Sequence, residues 1–242
     1  MRNKDFFILK EEMKRYGTSY GGYYLPEPLP LNKDSVIYSF GAGEDISFDV
    51  ELAYATGAKV HIFDFTPRAI QHVNTVKDFY DDRLLISPSK RYGGGDKSYL
   101  TRLVMNRVES EQLVLHPYGL FTEDCSLPFY FPENPEYVSL SAKREGKSDR
   151  TLIAPVKSLE TIMLELKHDH IDVLKLDIEC VELEVLDQLL KSDIRPRFLA
   201  IDFDSARSGK SKECVDMVKR LDSAGYRILN FDNWDVSFSL RQ

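Results

Sequence analysis

The residues best suited to chemistry stand at the ends of two apolar segments. Asp177 and Glu179 stand at the end of the segment 172–178, and Lys175 lies two residues before Asp177. Alternation along a strand places these three side chains on the same side. A carboxylate here could take a proton from a hydroxyl, because repulsion between Asp177 and Glu179 would raise a pKa. In the alternative interpretation, Lys175 forms a purely structural ion pair with one of them.

Two further carboxylates, Asp202 and Asp204, stand at the end of the segment 198–203 and also share a side. Parallel strands bring their carboxyl ends to one edge of a sheet, where Asp177 would join this pair. Oxygen ligands are those that Mg²⁺ prefers, and a metal would lower the pKa of an acceptor hydroxyl. Asp177, Asp202 and Asp204 are therefore the candidate metal ligands.

A glycine turn follows the β-branched and aromatic segment 36–40. Gly41 and Gly43 allow a tight turn and a close approach of the backbone to a ligand. Asp64 ends the next strand 21 residues after Gly43, near the separation of about 20 residues expected of a ribose-binding acid. The alternative is a turn with no ligand. The candidate cofactor-binding residues are Phe40, Gly41, Ala42, Gly43, Glu44, Asp45, Asp64 and Phe65.

The same turn argues against a dinucleotide. The third glycine of a G-x-G-x-x-G pattern would fall at Ile46, and Glu44 and Asp45 stand where a pyrophosphate needs a neutral or positive helix start. Two carboxylates repel phosphate. They suit a ligand with positive groups, such as the ammonium and sulfonium of S-adenosylmethionine.

Strands and helices alternate along the chain and position these residues. The patterns predict strands over 36–40, 59–64, 172–178 and 198–203, helices over 45–56, from 67, and over 158–168, 182–190 and 211–224, and a closing hairpin of strands 226–231 and 236–240. This indicates an α/β fold with a doubly wound, Rossmann-like sheet, mostly parallel with an antiparallel C-terminal strand. Such an ending is a feature of the methyltransferase variant.

The alternation also suggests a domain organisation. Residues 1–35 are expected to form a lead-in, a short helix and an extended segment, packed on a domain that spans 36–242. Within that domain, the stretch of about 84–156 is irregular and is interpreted as an insertion.

Composition disfavours some classes of protein. The 242 residues carry a net charge of −7, so a domain-wide basic field for nucleic acid is missing, although the basic run from Lys90 to Arg107 leaves a nucleic-acid acceptor open. No apolar run approaches the ~20 residues of a membrane span. The chain has three cysteines, none in CxxC spacing, and its short, charged start does not resemble a secretory signal. Both features favour the cytoplasm. A homo-oligomer is left open.

Two motifs resemble the FkbM family of methyltransferases. The first comprises 38–49 (YSFGAGEDISFD) and 61–67 (HIFDFTP), and the second, 171–182 (IDVLKLDIECVE), is similar to the family's K-x-D-x-E-G-x-E pattern. The resemblance runs from about residue 20 to the C-terminus. It implies S-adenosylmethionine as cofactor and O-methylation of a hydroxyl on a small molecule or glycan.

The chain departs from the family at several positions. Cys180 replaces a glycine, Phe65 often a proline and Leu140 a histidine, and the histidines expected after Asp202 are absent. These changes keep two rivals open. One is a module that binds the cofactor without turnover, and the other is a nicotinamide-dependent oxidoreductase.

Overall fold

A central sheet of alternating strands and helices dominates the computed structural model, which describes residues 12–83, 85, 92–134, 140–144 and 147–241. The strands are β1 (Met13–Tyr16), β2 (Tyr23–Pro26), β3 (Ile37–Phe40), β4 (Val60–Phe63), β5 (Leu113–His116), β6 (Gly119–Leu120), β7 (Cys125–Pro132), β8 (Lys147–Lys157), β9 (Val173–Leu176), β10 (Phe198–Asp202), β11 (Tyr226–Asp232) and β12 (Asp235–Leu240). The helices are α1 (Ser47–Thr56), α2 (Pro67–Tyr80), α3 (Tyr99–Met105), α4 (Leu159–Leu166), α5 (Glu182–Lys191) and α6 (Ser211–Ser223). None of these helices combines the length and apolar character needed to cross a membrane.

Seven strands form the central sheet in the order β11-β12-β10-β9-β3-β4-β5. All neighbouring pairs from β10 to β5 are parallel, and β12 runs antiparallel to both β10 and β11. The predicted doubly wound sheet with an antiparallel C-terminal strand is confirmed. Its strand order reverses between β3 and β9, which opens a crevice at their carboxyl ends.

Local signals set the helix ends close to their predicted positions. Gly57 ends α1 in the left-handed conformation, with its N–H donating to Ala53. Thr66 caps α2 by accepting from the N–H of Ala69, and Pro67 occupies the first helical position. The helices pack on both faces of the sheet, and each face has its own apolar core.

The segments outside the alternating pattern are more regular than the sequence indicated. Between residues 12 and 35 the chain forms the antiparallel pair β1–β2 and no helix, whereas residues 1–11 lie outside the described part. Within 84–156, β5 joins the edge of the central sheet, and β6, β8 and β7 form a separate three-stranded sheet. That small sheet stands beside the carboxyl ends of the central strands, where β6 follows β5 after two residues.

Candidate active site

One cavity of about 450 Å³ lies at the carboxyl ends of β3, β4, β9 and β10. It occupies the point where the strand order reverses, the usual place for a ligand in an open α/β sheet. Every candidate residue from the sequence lines it: Phe40, Gly41, Ala42, Gly43, Glu44, Asp45, Asp64, Phe65, Lys175, Asp177, Glu179, Asp202 and Asp204. The fold therefore brings both motifs to a single site.

The glycine turn presses directly against the end of β9. Gly41 has φ of 83°, and a Cβ atom placed there would lie 1.9 Å from the carbonyl oxygen of Asp177. Only glycine permits this approach, because a side chain would clash with backbone that cannot rotate away. The contact fixes the distance between the glycine turn and the carboxylates that follow β9.

Asp64 holds the turn from the β4 side. Its Oδ2 accepts from the N–H groups of Ala42 (2.9 Å) and Gly43 (3.1 Å), and its Oδ1 accepts from the N–H (2.8 Å) and hydroxyl (2.7 Å) of Thr66. These four bonds use the roughly four acceptor positions of a carboxylate. Asp64 thus shapes the glycine turn, and a ribose hydroxyl would have to share or displace one of these bonds.

The two acids after the turn are also engaged by protein groups. Glu44 Oε2 lies 2.6 Å from Nη2 of Arg68, and Asp45 Oδ1 accepts from the N–H of Ser47 at 2.9 Å. The hydroxyl of Thr18 donates to the second oxygen of Asp45, which ties the lead-in to the start of α1. Both carboxylates line the cavity.

Lys175 is almost fully buried, with 2% of its surface exposed. Its Nζ donates to the carbonyl of Gly41 and lies 3.6 Å from Oδ2 of Asp177. The structure therefore contains the ion pair that the sequence offered as an alternative. Burial raises the pKa of Asp177, and the charge of Lys175 opposes that rise.

Arg207 stands among three carboxylates on the β10 side of the cavity. Its Nη1 donates to Asp202 and lies 3.6 Å from Asp204, and its Nη2 lies 3.3 Å from Asp235. Burial, followed by the charges of Asp177 and Asp235, raises the pKa of Asp202 above its usual range. The guanidinium supplies the positive charge that this cluster needs.

A magnesium site at Asp177, Asp202 and Asp204 is therefore not supported. Among the described residues, no group of three or more His, Cys, Asp or Glu side chains is arranged to hold a metal ion. Arg207 and Lys175 already contact these three carboxylates, so a dication would compete with two resident cations.

The backbone after β9 takes an unusual course. Glu179 and Cys180 both have positive φ, 49° and 71°, a conformation that favours glycine. Cys180 stands where the motif that this segment resembles has glycine, and its positive φ gives a structural reason for a glycine at that position. Its buried thiol lies 3.1 Å from Oδ2 of Asp204 and links the two strand ends.

An apolar wall faces the acidic side of the cavity. Phe65, after β4, packs on Phe129 of β7 with ring centroids 4.1 Å apart, and Leu120 and Leu140 extend the surface. Gly119 approaches the ring of Phe65, because a Cβ there would lie 3.1 Å from two of its carbon atoms. The small sheet thus completes one side of the cavity.

Sequence reasoning missed several lining residues, among them Tyr20, Phe129, Arg207, Asn233 and Asp235. The predicted hairpin could have indicated Asp235, since β12 pairs with β10 so that Asp235 lies opposite Asp202. The register that produces this pairing cannot be read from the hairpin alone. No local signal marks Tyr20 or Phe129, which reach the site from the lead-in and the small sheet.

The strand order, the glycine turn and the acid after β4 define a Rossmann-like methyltransferase fold. The family described as Methyltransferase FkbM domain matches residues 21–228, so this chain belongs to the FkbM family of methyltransferases. No curated protein matches the chain.

Two solved structures are similar to the chain. The methyltransferase FkbM of Methylobacillus flagellatus KT shares 15% identity and has a TM-score of 0.50, covering 88% of this chain and 45% of that one. An rRNA methylase of Streptococcus thermophilus shares 15% identity with a TM-score of 0.41, covering 88% and 90%. The first supports the fold alone, and this chain spans less than half of its length. The second is too distant to support an argument.

Proposed function

We propose that this chain is an S-adenosylmethionine-dependent methyltransferase that transfers a methyl group to a hydroxyl of a small molecule or glycan. The observation that carries the proposal is the meeting of the glycine turn, Asp64 and the Asp177–Glu179 pair in one cavity. Its volume of about 450 Å³ falls within the roughly 300–1,000 Å³ of ligand pockets.

The lining of the cavity suits a cationic cofactor with an apolar, aromatic part. Eight Asp and Glu residues line it, namely Glu44, Asp45, Asp64, Asp177, Glu179, Asp202, Asp204 and Asp235, together with the two cations Lys175 and Arg207. Burial raises the pKa of Asp202 to about 9, so that residue adds no charge at neutral pH, and Arg68 pairs with Glu44; the other carboxylates still outnumber the cations. Negative potential attracts a sulfonium and an ammonium, and the pair Phe65–Phe129 offers a surface for a purine. When bound, S-adenosylmethionine would supply the electrophilic methyl group.

The same lining disfavours the rival ligands that carry phosphates. The third-glycine position of a dinucleotide site is Ile46, which is fully buried, and the neighbouring Glu44 and Asp45 would repel a pyrophosphate. A nucleic-acid acceptor would meet the same repulsion at the cavity. These observations favour methyl transfer to an uncharged acceptor over nicotinamide-dependent redox chemistry.

We assign the acceptor's proton to the carboxylates after β9. Asp177 and Glu179 line the cavity, and burial raises the pKa of Asp177, which makes that carboxylate a better base. Lys175 keeps Asp177 in place through the ion pair, and Gly41, Ala42 and Gly43 position the cofactor. Asp64 holds the glycine turn in its binding shape.

The experiment is a methyl-transfer assay with labelled S-adenosylmethionine and a panel of sugars, alcohols and amines. We expect label on oxygen acceptors only, a fall of about 10²–10⁴-fold in kcat for Asp177→Asn, and no change for the exposed control Glu160→Gln. The assay is repeated with chelator and with Mg²⁺, and we expect equal rates. Transfer to amines alone would refute O-methylation. Cofactor binding without transfer to any acceptor would favour the alternative of a module that binds the cofactor without turnover, which the presence of Cys180 in place of a glycine leaves open.

A further inference from the structure

An exposed tyrosine of the lead-in stands at the mouth of the candidate site and has none of the roles described above. Tyr20 lines the cavity, and 59% of its surface is open to solvent. It belongs to the turn that joins β1 to β2, outside the central sheet. A ring that borders both the cavity and the solvent is placed to contact a ligand as that ligand enters.

The turn that carries Tyr20 is attached to the glycine turn through Thr18. The hydroxyl of Thr18 donates to Asp45 and accepts from the N–H groups of Tyr20 (3.2 Å) and Gly21 (3.1 Å). Thr18 has no exposed surface, so water does not compete for these bonds. The position of Tyr20 is therefore fixed relative to the start of α1 and the glycine turn.

A second set of contacts joins the same turn to the loop that precedes α3. The N–H (3.0 Å) and hydroxyl (2.7 Å) of Ser19 donate to Oδ2 of Asp96. In that loop Gly94 has φ of 60°, and a Cβ placed there would lie 2.3 Å from Cγ of Tyr20 and 2.5 and 2.7 Å from its two Cδ atoms. The backbone of Gly94 therefore packs directly on the ring of Tyr20, an approach that only glycine permits.

The surroundings of the ring indicate which part of a ligand it would meet. Gly21, next in the turn, approaches the glycine turn, because a Cβ there would lie 3.0 Å from Cγ of Asp45. Partial burial of the ring, and after it the charges of Asp177 and Glu179, raise the pKa of Tyr20 to about 12. The ring thus borders both the glycine turn, assigned to the cofactor, and the carboxylates assigned to the acceptor. The sulfonium of S-adenosylmethionine, from which the methyl group leaves, belongs between these two.

We propose that Tyr20 is a cofactor-contacting residue whose ring meets the sulfonium of S-adenosylmethionine at the mouth of the cavity. The face of a tyrosine ring attracts a cation that lies within about 6 Å of its centre. Gly94 supports one side of the ring, and the opposite face receives the cation. The product, S-adenosylhomocysteine, has a neutral thioether in place of the sulfonium, so the ring favours the cofactor over the product. The inference rests on the proposed function, because it takes S-adenosylmethionine as the ligand.

The test is a calorimetric titration of each protein with S-adenosylmethionine and, separately, with S-adenosylhomocysteine. We expect Tyr20→Leu to bind S-adenosylmethionine about 2–30-fold more weakly, the range of a cation–π contact, and to change its affinity for S-adenosylhomocysteine less than about twofold. Tyr20→Phe keeps the ring and should keep both affinities within about twofold. Tyr54→Leu is the matched control, because Tyr54 lies on α1 with 57% of its surface exposed. Both affinities should be unchanged in that control.

Gly94→Ala tests the support of the ring without a change in Tyr20 itself. The new Cβ would overlap the ring, so the ring must move, and we expect a loss of S-adenosylmethionine affinity as large as in Tyr20→Leu. When Tyr20 is already Leu, no ring remains to be displaced, and Gly94→Ala should change the affinity less than about twofold. Gly209→Ala, with the same left-handed strain and no atom within 4 Å of its Cβ, should leave the affinity unchanged.

Three results overturn the inference while the wild type still binds S-adenosylmethionine. The first is an unchanged affinity in Tyr20→Leu. The second is an equal loss for cofactor and product, which would show that the ring acts by its shape and not on a charge. The third is a loss in Gly94→Ala that persists when Tyr20 is Leu. A wild type that binds no S-adenosylmethionine would instead refute the proposed function, and this inference with it.

Discussion

Replacement of Gly41 by alanine tests the closest contact in the site. The new Cβ would lie 1.9 Å from the carbonyl oxygen of Asp177, and φ of 83° already disfavours a side chain. Gly209, between β10 and α6, gives a matched control. It has φ of 90°, and its added Cβ would meet nothing within 4 Å. Gly209→Ala therefore carries the backbone strain without the clash.

The two costs can be separated from these distances. The left-handed conformation costs an alanine about 1–2 kcal/mol in both variants. In Gly41→Ala, the Cβ and the oxygen must also separate from 1.9 Å to at least 3.0 Å, so β3 and β9 must move apart locally. Forced overpacking of this kind costs about 1–3 kcal/mol. We expect Gly41→Ala to lose about 2–5 kcal/mol of unfolding free energy, and Gly209→Ala about 1–2 kcal/mol.

Urea unfolding of both variants and the wild type measures the difference. Calorimetry with S-adenosylmethionine should show cofactor binding lost in Gly41→Ala and kept in Gly209→Ala. Equal stability losses in the two variants, with cofactor binding intact, would refute the close packing of the glycine turn on β9.

Three further predictions concern charge and the apolar wall. Burial, followed by the neighbouring His116, lowers the pKa of His61 to about 4, so stability should fall as the pH drops from about 6.5 towards 4. In His61→Phe, the loss of unfolding free energy between pH 7.5 and pH 4.5, measured by urea unfolding, should be about 1–3 kcal/mol smaller than in the wild type. Equal losses in the two proteins would show that His61 does not cause the pH dependence. Arg207→Met leaves three carboxylates without their cation and should lower the free energy of unfolding by about 1–2 kcal/mol at pH 8. The loss should be smaller at pH 5, because protonation relieves the repulsion among the carboxylates; a larger loss at pH 5 would contradict this explanation. Phe129→Ala should weaken the affinity for S-adenosylmethionine about 2–12-fold in a calorimetric titration, because an aromatic contact contributes about 0.5–1.5 kcal/mol. Ile153→Ala, on the exposed side of the same sheet, should leave that affinity unchanged.

The fold could be predicted from the sequence because its signals are local. The glycine turn after β3, Pro67 at the start of α2 and Gly57 at the end of α1 each act through their own backbone conformation. The alternation of strands and helices then leaves few topologies for a mostly parallel sheet. Because parallel strands have their carboxyl ends at the same edge of a sheet, the sequence also predicted that Asp64 and Asp177 lie at one site.

What the sequence could not supply depends on contacts distant in the chain. Asp235 meets Asp202 only through the pairing of β12 with β10. Arg207, five residues after Asp202, turns back onto both carboxylates, and without its position the carboxylates suggest a metal site. Phe129 reaches Phe65 from a small sheet whose strand β6 has two residues. Such a strand gives no periodicity to detect.

The hydrogen bonds of Asp64 belong to the same category. Spacing predicted an acid at this position, but spacing carries no information on whether its oxygens are free. The structure shows four bonds to Ala42, Gly43 and Thr66, which give Asp64 a structural task in addition to any contact with ribose.

Whether the cavity is a cofactor site can be decided by calorimetric titration of the purified chain with S-adenosylmethionine and, separately, with NAD. We expect one S-adenosylmethionine bound per chain with micromolar affinity, and no binding of NAD, because the acidic cavity repels a pyrophosphate. Binding of NAD, or no binding of S-adenosylmethionine, would contradict the assignment of this cavity as a methyltransferase cofactor site.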